Sequence, residues 1–188
     1  MNVLFVDIDG VLGSTRQEDD RLFMEEKIII LKKMCDLYHA KVVISSSHKP
    51  VADNGEEDGE SPTILKIYDL FRRHNIDFLG FTPQITVKPN LYSEISSWKD
   101  FEIIYYLMNH PEVEHFAILD DNDSYDLILL KQHLIEVGFS DERGKYHEGL
   151  QVGDIVRAGE KLKLDNPYRN LIAQENEQRT RRRKPRKE

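Results

Sequence analysis

Acidic residues gather in three short stretches of this chain, and their spacing suggests phosphoryl chemistry. Asp7 and Asp9 sit two apart in FVDIDGVLGS (5–14), just after an apolar run. Three serines, Ser45 to Ser47, follow the β-branched run in KVVISSSHKP (41–50). Asp120 and Asp121 follow the apolar run in HFAILDDND (115–123). Asp and Gly are poor strand residues, so a buried strand ending in Asp-Ile-Asp-Gly needs a reason. Carboxylates held together repel unless a cation lies between them. Oxygen-only ligands favour a hard ion, usually Mg2+, which takes one or two carboxylates plus substrate phosphate. An Asp can also attack phosphorus and form an aspartyl-phosphate, while a second carboxylic acid protonates the leaving alcohol and then activates water.

The elements that must position these residues alternate between strand and helix. Val3 to Val6, Val42 to Ile44, Ile76 to Phe81, Phe116 to Leu119 and residues 133–137 read as strands. Between them, residues 23–38 read as a helix with Ile30, Met34 and Leu37 in step and Leu31, Cys35 and Tyr38 alongside. A second helix starts at Ser61-Pro62, with Ile64, Ile67, Tyr68 and Phe71 on one face. A third starts at the capping pattern Ser97 to Asp100 and runs through Met108, with Ile103 and Leu107 inward. A short helix should span 124–131, and a last one should carry Val152, Ile155, Val156, Gly159 and Leu162 on one face. Residues 50–60 and 82–97 read as loops. The expected fold is α/β, in three layers with a Rossmann-like, mostly parallel central sheet. In such a fold ligands bind at the carboxyl ends of the strands, where Asp7, Asp9, Ser45, Asp120 and Asp121 fall.

The bulk composition bounds the rest. A chain of 188 residues, 39% hydrophobic and 32% charged, fits one soluble domain. No apolar run approaches the roughly 20 residues of a membrane span, and no signal peptide is evident. The single cysteine, Cys35, excludes an internal disulfide, reads as a packed core thiol and fits an intracellular, cytoplasmic setting. The net charge of −8 is uneven, because RTRRRKPRKE (179–188) holds seven Lys or Arg and one Glu, a local +6, leaving −14 for the remainder. The expected division is a body over 1–165 and a charged tail over 166–188. The tail's basic end could solvate the chain, bind nucleic acid or another anionic surface, or act as a nuclear address.

Taken together, DIDGVL, VVISSSHK and AILDDND resemble motifs I, II and IV of the haloacid dehalogenase (HAD) superfamily, over roughly residues 1–165. SSSHK, GFTP, KDFEI and LDD further resemble compact HAD domains of RNA-repair proteins and related phosphatases. The resemblance implies that Asp7 is the nucleophile and a metal ligand. Asp9 would be the general acid and base, its main-chain carbonyl a further ligand. Asp121 would bind Mg2+ directly, with Asp120 ligating or hydrogen-bonding a bound water and Asp126 holding another. Ser45 would bind phosphoryl oxygens, and Ser46, His48 and Lys49 would contact substrate, although the related pattern has Trp-Arg where this chain has His48-Lys49. The motif III cation would be Lys99, with Lys88 as the alternative. In the first turn of a helix Lys99 opposes the dipole, which makes sense if it reaches an anion. A carboxylate at Asp9 favours phosphatases over dehalogenases.

No large insertion separates the motifs, so the implied cap is minimal and the site open to a macromolecule. The expected activity is a Mg2+-dependent phosphomonoesterase for a phosphoprotein substrate such as phosphotyrosine. A polynucleotide-end phosphatase and a phosphate-recognising module with little turnover are the alternatives.

Overall fold

The computed structural model describes residues 1–13, 23–47, 62–85, 98–122, 125, 128–140 and 142–169. The expected loop at 50–60, the cap residue Ser97, the substrate-contact candidates His48 and Lys49, the residues Lys88 and Asp126, and the basic end at 179–188 lie outside them.

Five strands form one sheet: β1 (Asn2–Val6), β2 (Ala40–Ile44), β3 (Phe78–Phe81), β4 (His115–Asp120) and β5 (Leu134–Glu136). Their order is β3-β2-β1-β4-β5 and every pairing is parallel. β1 is the central strand because it can bury both faces. Leu4 and Val6 enter one core cluster, Val3 and Phe5 the other, as the two-residue strand period requires.

Helices cover both faces and make the expected three layers. The first cluster takes α1 (Glu25–Tyr38), α2 (Pro62–Arg73) and α5 (Val152–Lys161). The second takes α3 (Trp98–Asn109) and the short α4 (Ile128–Lys131). Phe5 makes edge-to-face contacts with Tyr106 and Phe116, at centroid distances of 5.5 and 5.8 Å. Cys35 lies in the first cluster, and burial pushes its thiol up to about 12, so it is a packed thiol. Among the described residues no helix is long and apolar enough to cross a membrane.

Several helix faces differ from the apolar pattern. Leu37 and Tyr68 are exposed, while Ile28 and Leu31 fill the α1 contact. On α5, Val152 and Val156 face solvent while Asp154 and Ala158 are buried; Leu162, the C-cap residue, is buried as expected. The reason is local: α5 is fixed by polar contacts. Gln151 N–H donates to Asp154 Oδ2 at 2.8 Å, Arg157 holds Asp154 Oδ1 at 2.8 Å, and the Tyr38 hydroxyl donates to Ile155 O at 2.8 Å. A two-stranded hairpin, β6 (Phe139–Ser140) with β7 (Tyr146–His147), was not expected from the sequence; two-residue strands are too short to show a period.

After Asp165 the chain continues along the start of β4. Asn166 N–H donates to Glu114 O at 2.8 Å, Asn166 Nδ2 to Val113 O at 2.9 Å, and Tyr168 is buried in the second cluster. These contacts come from an asparagine and a tyrosine, not a helical stripe, which is why the apolar period stops before them.

Candidate active site

The sheet register builds the site. Val6 is level with Ile44 on one side and Leu119 on the other, so Ser45, Asp7 and Asp120 follow in one row across three strands. Backbone bonds carry that row past the ladders. Ser45 N–H donates to Val6 O at 2.9 Å and Asp7 N–H to Leu119 O at 3.0 Å. At the edges, Thr82 N–H donates to Ile44 O and Val137 N–H to Asp120 O, both at 2.9 Å.

Asp7, Asp120 and Asp121 each offer a carboxylate oxygen, and these oxygens lie within 4.8 Å of one another. Asp9 is outside that group; its backbone pairs with Gly13 in the turn beyond β1. Lys99, in the first turn of α3, is the countercharge. Its Nζ lies 2.5 Å from Asp7 Oδ2 and 2.8 Å from Asp120 Oδ2. The opposed helix dipole is thereby offset by two direct ion pairs. Burial alone would lower the Lys99 ammonium, but Asp7 and Asp120 outweigh it and raise its pKa above the ordinary lysine value.

Asp120 and Asp121 are raised as well, which for an acid favours the neutral form. Burial raises Asp120, with Asp7 adding to the shift and Lys99 and Tyr125 opposing it. Burial, with Asp120 and Asp7 close by, pushes Asp121 up to about 6. One ammonium among three carboxylates leaves the group under-neutralised, which suits a divalent cation.

Each carboxylate is held by a local device. Asp7 Oδ1 accepts from Ile8 N–H at 2.8 Å, which orients Oδ2 toward Lys99. Asp120 Oδ1 accepts from Asn122 N–H at 3.0 Å, and its Oδ2 accepts from the Tyr125 hydroxyl at 2.8 Å. Asp121 rests over Gly10. That glycine has φ +68°, and a Cβ there would lie 2.0 Å from Asp121 Oδ2. Gly10 thus serves both a left-handed turn and the close passage of a carboxylate.

Ser45 is buried, and among the described residues its Oγ has no hydrogen-bond partner. A buried hydroxyl without a partner costs free energy, and an arriving anion oxygen would satisfy it. Ser46 and Thr82 are also buried at this end of the sheet.

The carboxylates, Ser45, Ser46 and Lys99 were legible as site candidates; Thr82 and Tyr125 were not. Tyr125 follows Asp120 by five residues in DDNDSYD, as the lone aromatic of a polar run, which is the only signal it gives.

The family model of the HAD domain in Swiss Army Knife RNA repair proteins matches residues 3–143. The chain belongs to this HAD family. Among curated proteins, none matches it. Membership in the HAD family accounts for the arrangement of the sheet and supports a phosphatase-type hydrolase in general terms. Its metal chemistry fits what the site offers: all-oxygen donors, a short carboxylate separation and a glycine cradle beneath Asp121.

Proposed function

We propose that this HAD domain is a Mg2+-dependent phosphomonoesterase that acts through an aspartyl-phosphate on Asp7, and that its substrate is the phosphorylated end of an RNA. The observation that carries the reading is the bridge made by Lys99 between Asp7 and Asp120, beside a third carboxylate and the unpartnered Ser45 hydroxyl. The choice of RNA over a phosphoprotein rests on the family's description. The basic stretch 179–188 is compatible with it, as a source of phosphate contacts.

In this reading Asp7 Oδ2 forms a bond to phosphorus as the bond from phosphorus to the leaving oxygen breaks. Asp9 gives its proton to that oxygen. Asp9 then takes a proton from water as the water oxygen bonds to phosphorus and the Asp7–phosphorus bond breaks, which releases inorganic phosphate and restores Asp7. Ser45 Oγ and Lys99 Nζ donate to the phosphoryl oxygens and keep them from repelling the attacking carboxylate. Asp7, Asp121 and the Asp9 main-chain carbonyl would hold Mg2+, with Asp120 directly or through water. The ion, when bound, neutralises phosphoryl charge and aligns the group for displacement.

The test is a side-by-side assay of terminally phosphorylated oligoribonucleotides and phosphopeptides in Mg2+, with wild-type protein and Asp7→Asn. Hydrolysis of the oligonucleotide that is lost in Asp7→Asn and with EDTA is expected. Full activity in Asp7→Asn defeats the mechanism, and activity confined to phosphopeptides defeats the substrate assignment.

A further inference from the structure

The chain between β5 and α5 forms a strap along one side of the carboxylate group. At its start, Val137 N–H is bonded to the carbonyl of Asp120 itself, at 2.9 Å. At its end, Leu150 N–H is bonded to Val11 O at 3.0 Å, in the turn that follows Asp7 and Asp9. The described residues 138–140 and 142–149 therefore lie between the Asp120–Asp121 doublet and the loop beyond the nucleophile. The β6–β7 hairpin, with Ser140 opposite Tyr146 and Phe139 opposite His147, stiffens the strap.

Tyr146 is the aromatic residue of β7 and is 52% exposed. Its hydroxyl end lies against Gly138, where a Cβ would lie 2.4 Å from Oη. Gly138 follows directly on Val137, so the phenol stands one residue from the backbone bonded to Asp120. Desolvation raises the pKa of the hydroxyl, and the negative charges of Asp121, Glu148 and Glu136 add to the shift in that order. An aromatic ring that rests by its tip on Gly138, is half exposed and belongs to a segment whose start is bonded to Asp120 has the properties of a stacking platform. Nucleobases stack on such rings whatever their sequence.

We infer that Tyr146 is a substrate-binding residue, on which the base next to the scissile phosphate stacks. This inference rests on the phosphatase reading of the same site and adds to it the recognition of the leaving group. The strap would make the domain distinguish a nucleotide end from a phosphate monoester without a base, and the ring supplies the distinction while the hydroxyl only fixes its orientation.

The experiment measures kcat/KM on a short oligoribonucleotide with a terminal phosphate, and on the same oligonucleotide with an abasic terminal residue. Wild type, Tyr146→Phe and Tyr146→Ala are compared, with melting temperatures to establish folding. The preference of wild type for the base-bearing end is expected to fall about tenfold or more in Tyr146→Ala, mainly through KM, and to persist in Tyr146→Phe. An unchanged preference in Tyr146→Ala overturns the inference while leaving the phosphatase reading intact. So does a loss that appears only on a phosphotyrosine peptide, which would assign the ring to a protein substrate. A wild-type protein that hydrolyses neither oligonucleotide, nor glycerol phosphate as a base-free control, overturns both readings.

Discussion

Replacing Gly10 by Ala tests the geometry of the carboxylate group most directly. Two penalties combine at that position. A side chain at φ +68° costs about 1–2 kcal/mol for the left-handed backbone alone. The added Cβ would also lie 2.0 Å from Asp121 Oδ2 and 2.4 Å from its Cγ, so the Asp121 side chain has to leave its place. For a domain of this size the backbone penalty lowers the melting temperature by about 2–8 °C. The displacement does something different: it takes one carboxylate out of the group that would hold Mg2+. Under the proposed function, Mg2+ at a hundred times its Kd should stabilise the wild-type fold by about 2.7 kcal/mol, a rise of about 5–11 °C. Gly10→Ala should lose most of that rise along with hydrolysis. Thermal unfolding with and without MgCl2, with EDTA as control, reads both effects. Gly10→Asn separates them, because Asn tolerates the left-handed region but carries the same Cβ. A Gly10→Ala protein with a wild-type Mg2+-dependent rise and wild-type turnover would refute the reasoning, since Asp121 would then not need its place over Gly10.

Two further expectations follow from buried polar groups. Tyr125→Phe removes a buried donor to Asp120 Oδ2 with little change of shape, and should cost about 1.5–3 kcal/mol in urea unfolding together with part of the turnover; an unchanged unfolding midpoint would show that Lys99 and Asn122 suffice to hold Asp120. His133 is buried, stacks on Phe116 at 3.9 Å and has Nδ1 2.9 Å from Phe116 O. Burial, with Lys161 and His115 nearby, lowers its pKa below 6.5. The unfolded chain then binds the proton more readily, so this contribution is complete above about pH 6.5 and is lost as the pH falls below it. Unfolding free energy measured from pH 7 to 5 should fall less steeply in His133→Gln than in wild type, and parallel curves would remove His133 from the account.

Much of the site could be read from the order of residues. Asp7, Ser45, Asp120 and Asp121 each end an apolar run, and strands that alternate with helices must bring such ends together along one edge of a parallel sheet. The helix faces were less legible. Val156 on α5 and Leu37 on α1 fit the apolar period and yet face solvent, because an apolar residue on a surface costs little, whereas α5 is tied to its neighbours by the Tyr38 hydroxyl on Ile155 O and by Arg157 on Glu136 O.

The sequence by itself determined the chemistry available at the ends of the strands, because strand period and motif order are local properties of the chain. It also determined the need for a glycine beside Asp9, as a chain turning sharply out of a buried strand requires one. The family resemblance offered Lys99 as the cation, with Lys88 as the alternative, but only the tertiary structure shows Lys99 shared between Asp7 and Asp120. Lys99 is 92 residues from Asp7 in sequence, and the ion pair exists because α3 packs its first turn over β1 and β4. The same holds for Gly10 beneath Asp121 and for the strap that carries Tyr146. Each is a contact between segments that show no mutual pattern, fixed by how the layers pack against one another.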